Sequence, residues 1–133
     1  MSKPTHPTAD GTHYPTNHVL ALLDTAEVGA EAEAALVAAG FARDDIVRFN
    51  GQEGLQDIRS RETLLSRFGN LLDRLSEDGV LGREVYMDGL RAGQTLLMVY
   101  APDDPAVLRA RDALTAHGAH KLVALRRFTV EPL

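Results

Sequence analysis

Two strand–helix–strand units, one near each end of a single chain, predict an α+β fold built on an antiparallel sheet. Three observations carry the prediction. The apolar run Val19-Leu20-Ala21-Leu22-Leu23 has a counterpart in Leu97-Met98-Val99-Tyr100-Ala101. Each run precedes a helix-like stretch closed by a glycine, as Leu36-Val37-Ala38-Ala39-Gly40-Phe41 and as Leu114-Thr115-Ala116-His117-Gly118-Ala119. After each glycine comes a further apolar run, Ile46-Val47-Arg48-Phe49 and Leu122-Val123-Ala124-Leu125.

The chain has 133 residues, which suits one domain able to bury a core. Residues 1–17 are rich in Pro, Thr and His without apolar periodicity and read as a flexible tail, so the domain spans 18–133. His6, His13 and His18 match no metal-site spacing and read as solvated tail histidines. The chain has no cysteine, which excludes disulfides, thiolate metal sites and cysteine nucleophiles. No apolar run approaches the roughly 20 residues that span a bilayer, and the N-terminus lacks the layout of a secretory signal, so a cytoplasmic location is expected. A net charge of −5, with few aromatics and no tryptophan, opposes nucleic-acid binding.

In the first unit, 19–23 is a continuous apolar run suited to a central strand buried on both faces. Asp24-Thr25 offers side-chain oxygens to cap the next helix, whose inward stripe is Val28, Ala32, Ala35, Leu36 and Ala39. Gly40 ends that helix, Phe41 turns back into the core, 46–49 is the second strand and Asn50-Gly51 is a turn. In the second unit, 94–101 is the strand, and Pro102-Asp103-Asp104-Pro105 stops it and caps a helix with the stripe Val107, Ala110, Leu114 and His117. Gly118 ends the helix and 122–125 is the last strand, with an extension through Phe128 and Val130 allowed by the pattern.

Between the units lies a helical insertion at about 52–93. Leu64, Phe68, Leu71 and Leu75, with Leu65 and Leu72, trace one face of a helix of about four turns, and a second short helix carries Val85, Tyr86 and Leu90. The first of these helices either packs on the free face of the sheet, which is the favoured reading, or pairs with a copy of itself in a coiled-coil-like contact. Tandem β-α-β halves around such an insertion describe a ferredoxin-like two-layer sandwich with a four-stranded antiparallel sheet. A doubly wound parallel sheet is the competing layout, opposed by the low strand count and the absence of a glycine-rich phosphate turn.

The segment Leu36-Val37-Ala38-Ala39-Gly40-Phe41 with Asp45-Ile46, and Tyr86 with Leu90-Arg91-Ala92-Gly93 before Leu96-Leu97-Met98-Val99, resemble the bacterial general stress protein family with YflT-like domains. Ala110-Arg111-Asp112-Ala113-Leu114 and His117-Gly118-Ala119 fit it too, so the resemblance covers about residues 18–125. It implies a bacterial cytoplasmic protein of the stress response, and brings no catalytic residues with it.

Candidate chemistry is sparse. The serines occupy no nucleophile motif, and Gly51-Gln52-Glu53-Gly54 lacks the lysine and spacing of a phosphate loop. Asp103-Asp104 is better explained by capping than by chelation. Tyr86, with Arg83, Arg91 and His117, is a candidate site for a small anionic ligand. Against it stand simple helix packing for Tyr86 and capping of the last carbonyls for His117. The sequence therefore predicts a non-enzymatic protein without metal or cofactor, acting through a protein partner or self-association along Leu64, Phe68, Leu71 and Leu75. The alternative is a ligand-sensing regulatory domain of ferredoxin-like type.

Overall fold

The computed structural model describes residues 17–60, 83–125 and 130–133. In chain order the elements are β1 (His18–Leu23), α1 (Ala26–Ala38), β2 (Ile46–Asn50), α2 (Gly51–Ser60), α3 (Arg83–Arg91), β3 (Thr95–Tyr100), α4 (Asp104–Thr115), β4 (His120–Leu125) and β5 (Val130–Pro132). The strands form one open sheet in the order β2-β3-β1-β4-β5, and every neighbouring pair is antiparallel.

The two units start and stop their helices by the same local chemistry. Thr25 Oγ1 accepts the Val28 N–H at 3.1 Å, and Asp103 Oδ1 accepts the Ala106 N–H at 2.9 Å. Each oxygen satisfies a donor that the first helical turn leaves without a partner. At the other end, the Phe41 N–H donates to Leu36 O at 3.0 Å and the Ala119 N–H to Leu114 O at 3.1 Å. Closing a helix that way needs a left-handed residue just before the donor, and Gly40 (φ 105°) and Gly118 (φ 76°) supply it.

Side chains alternate across the sheet and fill both faces. Val19, Ala21 and Leu23 of β1 point to one side with Leu97 and Val99 of β3, where Ala32 and Leu36 of α1 and Val107, Ala110 and Leu114 of α4 cover them. Leu20, Leu22, Leu96 and Met98 point to the other side, against Leu55 of α2 and Tyr86, Met87 and Leu90 of α3. β1 is central and wholly buried, as its unbroken apolar run requires. Burying each leucine stabilises the fold by about 1.5–3 kcal/mol relative to exposure. The described helices of the insertion thus pack back on the sheet.

Several expectations change. The described sheet has five strands where four were expected, because the chain after β4 returns beside it. Leu125 pairs with Val130 and Val123 with Pro132, so Val130 opens a partner strand and does not extend β4. Pro132, which has no N–H to donate, occupies an edge strand. Asn50-Gly51 is no simple turn. Gly51, at φ 54°, is the first residue of α2, and its N–H donates to Gln94 O at 2.8 Å. His18 is buried at the start of β1, its ring edge-on to Tyr100 at 5.6 Å, and is not a solvated tail residue. Asn17 is tied in as well, through Asn17 N–H to Leu125 O at 2.6 Å and Ala101 N–H to Asn17 O at 2.8 Å. Residues 1–16 of the expected tail, and the expected self-association face Leu64, Phe68, Leu71 and Leu75, lie outside the described residues.

Candidate functional site

Of the four residues proposed from sequence as a ligand site, Tyr86, Arg91 and His117 are not brought to one surface. Tyr86 is fully buried between α3 and the sheet, and its hydroxyl donates to Lys121 O at 2.8 Å. Burial holds its phenol well above the ordinary tyrosine range, so it stays neutral. Arg91 closes α3 on the surface, with Nη1 2.6 Å from Asp88 and 3.4 Å from Glu84. Hydrogen bonds to Asp88 and then Glu84 push its pKa further up, so its charge is permanent and already neutralised. Arg83 opens α3, and its side chain lies outside the described residues.

His117 follows α4, the helix on the opposite face of the sheet from α3. Its Nδ1 lies 3.1 Å from Ala113 O, one turn back. That is the capping role, in which an imidazole N–H satisfies a carbonyl at the helix end. An inward-facing tyrosine in one layer and a capping histidine in another do not form a ligand pocket. Asp103 is likewise engaged as the cap of α4.

Tertiary structure assembles polar groups at several places, Glu33 with Arg43 and Arg48 among them, and joins the most distant pair where β1 ends and β4 begins. His120 Nε2 is 3.1 Å from Asp24 Oδ1, across 96 positions of sequence. Their side chains are 37% and 73% exposed. A carboxylate beside an imidazole can orient it for proton transfer, yet a pair so open to water is weakly coupled and contributes about 0–1 kcal/mol. Thr25, next along the chain, has its hydroxyl engaged as the α1 cap. Among the described residues no group of three or more His, Asp or Glu could hold a metal ion.

Beside this pair β4 carries a bulge. Val123 stands opposite Leu20, but His120 stands opposite Leu22, so Lys121 and Leu122 together face Ala21. Lys121 takes φ 55°, a left-handed conformation that costs a residue with a Cβ about 1–2 kcal/mol. The reason is legible in the alternation. Val123 and Leu125 face α2 and α3, so an even ladder would turn Lys121 inward, onto the layer that holds Tyr86 and Leu90. The bulge leaves Lys121 exposed, and the Tyr86 hydroxyl occupies its carbonyl.

Sequence reasoning missed this group. For Lys121 a signal existed: a lysine two residues before the inward Val123. For Asp24 and His120 none did, because nothing in local spacing joins them.

No family model, curated protein or solved structure matches the chain. Among the described residues no helix is long and apolar enough to cross a membrane.

Proposed function

We propose that the chain is a non-enzymatic, cytoplasmic module of the bacterial general stress protein type, acting through a protein partner or by self-association. One observation carries the reading. β2 pairs with β3 on one side, and no described strand lies on its other side. A strand edge with unpaired N–H and C=O groups is a template for another chain. The two edges of the sheet differ: β5 is three residues long and includes a proline, whereas β2 offers five residues without one. Both faces of the sheet are filled by the chain's own helices, which leaves this edge as the main backbone surface of the described sheet open to a partner.

The order β2-β3-β1-β4 of the first four strands, with α1 and α4 on one face, supports a ferredoxin-like reading of the fold, β5 being an addition. The ligand-sensor alternative draws less support, since Tyr86 faces inward and its hydroxyl is engaged.

Sedimentation velocity over a micromolar series tests the reading. Wild type is expected to dimerise, or to bind a partner recovered from stressed cells, and Arg48→Pro, at a β2 position whose N–H faces away from β3, to lose that association while keeping its circular dichroism. A strictly monomeric wild type with no recovered partner would remove the reading.

A further inference from the structure

We propose that β4 is a two-register element, held in its bulged register by the Tyr86 hydroxyl of α3, so that the position of α3 sets the arrangement at the Asp24–His120 end of the sheet. The inference stands apart from the partner-binding reading and does not need it.

Three observations meet at Lys121. It is one of two non-glycine residues with positive φ among those described, at 55°, and it lies inside a strand. The β1–β4 register shifts by one residue across it, between the Leu20–Val123 and Leu22–His120 pairs. Its carbonyl accepts the hydroxyl of a tyrosine that is otherwise fully buried in apolar surroundings, at 2.8 Å. The strained residue and the buried hydroxyl therefore depend on one another. Without the hydroxyl, a carbonyl freed by the bulge loses its partner. Without the bulge, the phenol loses its acceptor and Lys121 turns toward it.

The second register is simple to state. Continuing the Leu20–Val123 pairing places Leu122 opposite Ala21 and Lys121 opposite Leu22. His120 then stands opposite Leu23, whose side chain faces α1 and α4, and its contact with Asp24 breaks. A one-residue slip exchanges faces for every residue it passes. Lys121 can enter that position only when α3 moves off the sheet, since Tyr86, Leu22 and Leu90 fill the layer there. Lifting α3 and slipping β4 are thus one event, and it is read out at His120.

Solution NMR of the full chain, comparing wild type, Tyr86→Phe, Lys121→Gly and the double variant, tests the proposal. In Tyr86→Phe the amides of residues 120–122 are expected to exchange about tenfold faster, with Leu22–Lys121 contacts appearing beside Leu22–His120 contacts. Lys121→Gly keeps Tyr86 and relieves the left-handed strain, so exchange there should slow by roughly threefold. In the double variant the glycine should restore the bulged contacts alone. Unchanged contacts in Tyr86→Phe, or acceleration spread evenly over all strands, would overturn the proposal. So would equal or faster exchange in Lys121→Gly, a variant that retains every core side chain.

Discussion

The face under α1 and α4 is built from two copies of one plan, whereas the face under α2 and α3 comes from a single inserted segment. The first face is lined by small residues, Ala32, Ala106 and Ala110, with Leu36, Val107 and Leu114 between them. Its helices have matching caps and matching glycine ends. The second face uses Phe49, Leu55, Tyr86, Met87 and Leu90. There a glycine meets backbone: a Cβ on Gly54 would lie 2.6 Å from the carbonyl carbon of Phe49, whereas one on Gly29 of α1 would meet only the Thr95 side chain, at 2.7 Å. A helix fitted by alanine spacing announces itself through its period. A helix fitted by one glycine against a neighbouring strand does not.

The largest expected effects ask whether both faces belong to one cooperative unit. Leu36→Ala and Leu90→Ala each remove a fully buried side chain, one per face, and each should cost about 2–5 kcal/mol in urea unfolding. If Leu90→Ala instead speeds amide exchange around α3 alone and leaves the global midpoint unchanged, the second face is a separate unit.

Next comes Gly54→Ala, expected to cost about 1–3 kcal/mol because its new methyl meets the Phe49 backbone, which cannot step aside. Gly89→Ala meets Leu22 Cδ1 at 2.6 Å and Gln94 Oε1 at 2.8 Å, both side-chain ends, and should cost less. Equal thermal shifts for the two would show that the close approach of α2 to β2 is not what positions it.

A third test is specific to the second face. The Tyr86 phenol has a folded pKa raised by burial above its unfolded value of about 10. The folded state therefore holds this proton more tightly. The associated stability is complete below pH about 10 and declines as pH rises past it. Tyr86→Phe should flatten that alkaline decline; an unchanged slope would mean that the phenol is not buried in solution.

The smallest effects compare the two copies. Thr25→Ala and Asp103→Ala each remove one cap and should each cost about 1 kcal/mol. A clear inequality in their denaturation midpoints would break the equivalence of the two units at the helix starts.

Much of the first face was legible because its signals are local. Thr25, Asp103, Gly40 and Gly118 act on neighbours within one helical turn, and Ala32, Leu36, Val107 and Leu114 recur at helical spacing. The candidate ligand set was less legible. Tyr86 and Arg91 belong to one short helix, yet Tyr86 faces the sheet and Arg91 the solvent, a difference set by what lies beneath α3. His120 carries no local signal, because its contact is Asp24, 96 positions away.

By itself, then, the sequence determined the α+β class, the wholly buried central strand, and the starts and ends of the repeated helices. Each of these depends on hydrogen bonds or apolar periods spanning a few residues. Tertiary structure decided the rest: that α2 and α3 cover the second face, that Val130 returns beside β4, and that Lys121 bulges outward beneath Tyr86. The physical reason is one of range. A backbone carbonyl, a lysine and a phenol separated by 35 positions become mutually dependent only when a strand and a helix are pressed together and water is excluded between them.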